Sequence, residues 1–155
     1  MVGEMKYNNM TENYAKMLEK GLQYQDFVSE LLFKDLGIPL VAYQSRKYQM
    51  STGENIQGFE IKFDDMMSKT SNIYIEISEK SSPDKLNYID SGIYRNDNSW
   101  LYIIGNYNLL YIFSKNILVL LHKSNRYKMV KTATSKGFLI PKKDAEMYCS
   151  KLIKI

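Results

Sequence analysis

Two short stretches alternate strictly between apolar and polar residues. In "FEIKFDD", Phe59, Ile61 and Phe63 fall on one side and Glu60, Lys62 and Asp64 on the other. In "NIYIEISEK", Ile73, Ile75 and Ile77 alternate with Tyr74, Glu76 and Ser78. A period of two residues predicts two half-buried strands, each with a carboxylate in the middle of its polar face. Upstream the period changes. In "KGLQYQDFVSELLFKDLG", Tyr24, Phe27, Val28, Leu31 and Leu32 recur at helical spacing, and Gly37 followed by Pro39 ends the helix. "PLVAYQSRKYQM" predicts a strand and "STGEN" a turn. Residues 81–99 show no period and read as a long loop, of the kind that carries function in compact domains. "WLYIIGN" and "LLYIFSK" predict strands joined by "GNYN". "KNILVLLHKSNRYKMV" predicts a helix, "GFLIP" a strand, and "KKDAEMYCSKLIK" a last helix with Pro141 at its first position. This order predicts an α/β or α+β fold, with a mixed central sheet flanked by helices.

At 155 residues the chain suits a single domain, with polar residues 1–13 expected to fray. One cysteine, Cys149, forms no internal bridge and is expected to pack as a small hydrophobe. No apolar run approaches the roughly 20 residues of a membrane helix, and the first residues lack a signal's apolar core. A cytoplasmic protein without membrane contact is expected. With one histidine, His122, and one cysteine, a structural zinc site and a Cys/His nucleophile are excluded. No Gly-rich phosphate loop is present.

Charge is segregated. Residues 1–114 carry 11 Lys/Arg against 15 Asp/Glu, whereas residues 115–155 carry 10 against 2. A basic third beside an acidic body fits a binder of phosphate backbones, as it also fits a solvated lysine-rich face. Lys123, Arg126, Lys128 and Lys131 are the candidates there, joined by Arg95 in "SGIYRNDNSW".

The two strand carboxylates carry the chemistry. Sequential strands usually pair, and paired strands lie about 4.8 Å apart, so Glu60 and Glu76 are expected to share one face and one divalent ion. Mg²⁺ or Mn²⁺ takes oxygen ligands and often uses only one or two carboxylates plus substrate phosphate. Lys62 or Lys80 is placed to hold water or offset charge on a phosphate. The alternative is two amphipathic strands, each with one solvated face.

"GLQYQDFVSELLFKDLGI" followed by "GENIQGFEIKFDD…NIYIEISEK" resembles the opening helix and two core strands of the PD-(D/E)xK nuclease superfamily, over about residues 21–80. The resemblance implies a restriction-endonuclease-like core, divalent-metal-dependent cleavage of nucleic acid, chiefly DNA, and a tendency to dimerise. It matches Glu60 to the first-strand acid and Glu76 to the Glu of Glu-x-Lys. Two positions depart. Gln25 replaces the family's helix glutamate; at about 100° per residue it lies near Val28 and Leu32, while Glu30 falls on the far side. Ser78 replaces the lysine, leaving Lys62 first and Lys80 second as substitutes. A different alignment takes "EIK" at 60–62 as the Glu-x-Lys and Glu54 as the preceding acid; it ranks lower because Glu54 sits in a Gly/Asn turn and Glu76 is left without a role. Loss of the lysine also allows a non-catalytic module that binds DNA or a protein.

Overall fold

A computed structural model describes residues 2–155, with side chains at Glu12 and from Tyr14 onward. The chain divides into two compact units, residues 1–39 and 40–155. The first is helix α1, Val2–Leu36. Its end follows the expectation. Gly37 takes a left-handed φ of 65°, and the N–H groups of Gly37 and Ile38 donate to the carbonyls of Phe33 and Leu32, each at 3.1 Å. That is the double bond of a glycine-terminated helix. Residues 2–13, expected to fray, belong to this helix.

The second unit is mixed α+β and holds two four-stranded sheets. One has the order β1 (Phe59–Phe63), β4 (Leu101–Gly105), β5 (Leu109–Ser114), β8 (Lys151–Lys154). The other has the order β3 (Ile89–Asp90), β2 (Asn72–Glu79), β7 (Ser135–Pro141), β6 (Met129–Lys131). The predicted single central sheet is thus two. The predicted pairing of the two carboxylate strands is also replaced. β1 runs parallel to β4, and β2 lies antiparallel to β3 and β7. The turn of helix α3, Met67–Thr70, and left-handed Ser71, at a φ of 57°, carry the chain out of one sheet and into the other. β4 is buried along nearly its whole length and takes a partner on each side.

The sheets share one core. Ile73, Ile75, Phe138 and Ile140 meet Tyr102, Ile104, Tyr111 and Phe113 there. Helices α4 (Lys115–Lys123) and α5 (Lys142–Tyr148) close it with Leu118, Leu121 and Ala145. Both are shorter than predicted. α4 ends where Asn125 turns left-handed at a φ of 56°, and "KMV" becomes β6. α5 is followed by Cys149, half-buried against the core, and then by β8, which pairs with β5. Pro141 caps α5 rather than opening it. The strand predicted over residues 39–50 is a single bridge, Ala42 to Asn55, and a short helix α2, Arg46–Ser51. The β4–β5 hairpin follows its prediction, with the Asn106 side chain accepting the N–H groups of Asn108 and Leu109 at 2.9 and 3.0 Å. The loop at 81–99 is irregular apart from β3 and one 3-10 turn, Gly92–Tyr94.

Candidate active site

β1 is an edge strand, and its register decides where its polar side points. Glu60 stands beside Tyr102 and Lys62 beside Ile104, and neighbours at one level of a parallel ladder share a face. Tyr102 and Ile104 face the shared core. The polar side of β1 therefore turns inward, against the alternative of a solvated face, and Glu60 is 2 % exposed. Phe59 and Ile61, on the other side, are buried as well, so β1 is enclosed on both faces.

Glu60 is a carboxylate with little to hold it. Its only charge partner among the described residues is Lys62, with Nζ 3.3 Å from Oε1. Both of its oxygens are buried without a hydrogen bond. A buried carboxylate in that state is costly unless a cation completes it.

Glu54 joins the cluster from the turn before β1. Gly53, at a φ of 145°, leaves room for Asn98 where a side chain would stand. The Asn98 amide donates to the Asn55 carbonyl at 2.9 Å. The Asn55 side chain in turn accepts from the Phe59 N–H at 2.9 Å and donates to the Phe59 carbonyl at 2.7 Å. Trp100 Nε1 donates to the Gln57 carbonyl at 2.7 Å. So fixed, Glu54 accepts the N–H of Ile61 at 3.3 Å. Burial pushes its carboxyl up to about 7, with Glu60 adding to the rise and Lys62, the Ile61 N–H and Arg95 opposing it. The sequence ranked Glu54 low because it sits in a Gly/Asn turn; the lock on that turn comes from residues 98 and 100, more than forty positions away.

Glu76 reaches the same cluster from the second sheet. β2 bulges between Glu76 and Ser78, and the Ser91 hydroxyl donates to Glu76 Oε1 at 2.7 Å. Burial raises the Glu76 carboxyl, Lys62 and Ser91 lower it, and Glu79 and Glu60 raise it further. Glu60 and Glu76 thus act on each other across two sheets rather than along one. Gly92, left-handed at a φ of 53°, packs on this residue, and an added Cβ would stand 2.1 Å from the Glu76 carbonyl oxygen. Gly92→Ala is expected to cost about 3 kcal/mol, from left-handed strain plus the clash. Urea unfolding measures it, and a loss under about 0.5 kcal/mol, the scale of a neutral surface change, contradicts this packing.

Lys62 is the cation all three acids share. Crowding by protein atoms alone would lower its pKa. Glu60, Glu54 and Glu76 outweigh that and hold the ammonium charged well above the ordinary lysine range. Its side chain keeps 35 % of its exposure. Tyr102 is buried beside the acids, and its hydroxyl is raised by burial first and then by Glu60, Glu76 and Glu54.

The raised Glu54 gives stability a definite pH dependence. Its folded value lies above the ordinary 4.5, so the folded state binds the extra proton. Stability is greatest below about pH 4.5 in this respect and falls as pH rises toward 7, by up to about 3 kcal/mol. Glu76 shifts in the same direction. Glu54→Gln is expected to flatten the fall between pH 5 and pH 8 in urea unfolding; an unchanged slope contradicts the assignment.

The other sequence candidates lie elsewhere. Lys80 does not join the acids: its Nζ donates to the carbonyls of Pro83 and Lys85 at 2.9 and 3.0 Å. Gln25 belongs to α1 and to the first unit. Arg95 donates to the Met50 carbonyl at 3.1 Å and lies 3.8 Å from Asp97, which also binds Lys115 at 3.2 Å; it ties the loop down while lending its charge to Glu54. Arg126 lies over Tyr127 and Tyr148. Lys123 and Lys128 are exposed, and Lys131 lies over the Tyr88 ring. His122 is at the core edge, bonded to Tyr94 at 2.6 Å and stacked on Phe138.

Oxygen donors only, with Glu60 Oε2 buried and unpartnered and Oε1 met by Lys62 alone among the described residues, suit a hard divalent cation. Among the described residues, no group of three or more His, Cys, Asp or Glu stands ready to hold one by itself, and no helix is long and apolar enough to cross a membrane. No family model, curated protein or solved structure matches the chain.

Proposed function

We propose that the chain is a divalent-metal-dependent nuclease of the PD-(D/E)xK kind, with a restriction-endonuclease-like core and with Glu60-Ile61-Lys62 as the acid-x-lysine. The observation that carries this reading is a lysine held charged by Glu60 at 3.3 Å and by the fields of Glu54 and Glu76. Glu54 then takes the place of the preceding acid, and Glu76 supports the pair from the second sheet. This is the alignment that the sequence ranked second, and it removes the difficulty of Ser78, because Lys62 is the lysine.

Glu60, with Glu54 or Glu76, would hold Mg²⁺ or Mn²⁺. Such an ion, when bound, polarises a phosphoryl oxygen and makes water more acidic. Lys62 stabilises negative charge developing on a scissile phosphate, with no proton to give up at neutral pH. Glu54, near 7 without metal, is suited to take a proton from water at working pH. Burial of Glu60 excludes water from its oxygens until a ligand arrives.

The test is cleavage. Purified protein with Mg²⁺ or Mn²⁺ is expected to nick or cut at least one of single-stranded, duplex or branched DNA or RNA, and EDTA is expected to stop it. Folded protein that cuts none of them overturns the enzymatic reading and leaves a non-catalytic module.

A further inference from the structure

A second cluster of charge lies on the second sheet. Lys136, Lys80 and Lys131 stand 4.1, 5.2 and 5.6 Å from the centre of the Tyr88 ring. They come from three strand segments: Lys80 just past β2, Lys131 at the end of β6 and Lys136 in β7. Lys131 and Lys136 are direct partners across the β6–β7 ladder, where like charges repel. The attraction of each ammonium for the ring is modest at a partly exposed site. Among the described residues no carboxylate forms an ion pair with any of the three. The Tyr88 hydroxyl is buried and has no hydrogen-bond partner. Beside the cluster opens a pocket of about 310 Å³ lined by Lys80, Ser81, Lys85, Leu86, Asn87 and Ile89.

Three gathered cations, unneutralised, beside an unused hydroxyl and an open basic pocket need an anion to complete them. The ladder also places them near the candidate site. Lys136 pairs with Ser78, two residues beyond Glu76, whose own partner is Gly137. At about 3.3 Å per residue, the cluster begins within about 7 to 13 Å of Glu76 along β2. That is a separation of one to a few phosphates on a single strand. Lys80 uses two of its three N–H donors on the Pro83 and Lys85 carbonyls, which fixes it and leaves one donor free.

We infer that Lys80, Lys131 and Lys136 around Tyr88 bind successive backbone phosphates of a single nucleic-acid strand, next to the phosphate that the proposed function places at Lys62. This rests on nucleic acid as the substrate of the proposed function, but not on catalysis. The charge segregation of the chain and the aromatic ring among lysines favour nucleic acid over other polyanions.

Fluorescence anisotropy with a labelled 20-nucleotide single-stranded DNA, in EDTA so that nothing is cut, tests it. K80Q/K131Q/K136Q is expected to weaken binding at least about tenfold at 0.1 M salt and to reduce the slope of log K against log salt by about 2. K143Q/K151Q/K154Q, with the same loss of charge, is expected to change the slope by less than about 1 on the same scale. Lys131→Gln alone, at an exposed position, should give about a third of the full effect if the triple variant folds poorly. K80R/K131R/K136R should keep the affinity. Equal effects of the two triple variants, or wild-type protein that binds phosphatidylglycerol vesicles and not the oligonucleotide, overturn the inference. Binding lost in the cluster variant while wild-type protein cuts nothing with Mg²⁺ leaves the inference standing and removes the nuclease reading. Cleavage with binding unmoved by the cluster variant does the reverse.

Discussion

Lys62→Met is expected to destabilise the protein by about 2–3 kcal/mol at pH 8 and by under about half that at pH 5. Lys62 is the cation common to Glu60, Glu54 and Glu76. Methionine fills a similar volume but leaves buried Glu60 without its ion-pair partner and takes from Glu54 and Glu76 a charge that lowers both. Breaking a fully buried pair costs about 3–5 kcal/mol. The lower figure applies because Lys62 keeps about a third of its exposure and water screens part of its field. The pH dependence follows from the acids. Glu54 is already near 7 with Lys62 present, and Lys62 is among the groups that lower it. Without Lys62 its value rises further, and so does that of Glu76. At pH 5 Glu54 is protonated and no longer repels Glu60, so less is lost; at pH 8 it ionises against Glu60. Urea unfolding of both proteins at the two pH values measures the difference. Lys62→Arg keeps the charge and should recover most of the stability while recovering cleavage poorly, because a planar guanidinium does not place its charge as an ammonium does. Equal losses at pH 5 and pH 8 would show that Lys62 acts through packing alone.

The sequence was most readable where the signal is local. The alternation in β1 and β2, the glycine stop of α1 and the β4–β5 hairpin all follow from near neighbours. So does the choice of Glu60, Glu76 and Lys62, since each stands mid-strand or nearby with apolar flanks. What failed depends on distant partners. Whether β1 pairs with β2 or with β4 is decided by the burial of β4 on both sides, about forty residues later. Whether the polar side of β1 faces water or core is decided by the same register. Glu54 ranks second in the sequence because its turn is made rigid by Asn98 and Trp100, and alternation cannot show that. The spacing of Lys80 from Glu76 points it toward the acids. The bulge after Glu76 and the carbonyls of Pro83 and Lys85 take it to the Tyr88 cluster instead. Both helices drawn too long, α4 and α5, end in residues of good helix propensity that the sheets recruit as β6 and β8. Tertiary pairing outweighs a propensity difference of a few tenths of a kcal/mol per residue.

Glu60→Gln should abolish cleavage, by at least about a thousandfold, without destabilising the metal-free protein by more than about 0.5 kcal/mol. The two halves of this expectation come from one fact. Glu60 has both oxygens buried without a hydrogen bond, and among the described residues its only charge partner is Lys62 at 3.3 Å. In the metal-free fold a carboxylate there carries a desolvation cost close to what Lys62 returns. Glutamine has nearly the same shape and carries no charge. It loses the attraction to Lys62, but it also removes the repulsion felt by Glu54 and Glu76, both of which Glu60 raises. A residue that is close to neutral for stability and buried beside two other acids is placed for a cation. The distinguishing measurement is therefore thermal. Millimolar Mg²⁺ or Mn²⁺ should raise the melting temperature of the wild-type protein, because a ligand that binds only the folded state stabilises it by mass action. The same ion should leave Glu60→Gln unmoved. The Glu54→Gln variant should fall between the two, since its carboxyl must lose a proton before it can serve as a ligand, and its contribution should grow from pH 6 to pH 8. A metal-induced rise that survives in Glu60→Gln would place the ion elsewhere. A Glu60→Gln protein that is several kcal/mol less stable without metal would make Glu60 a structural partner of Lys62, and the nuclease reading would lose its central acid.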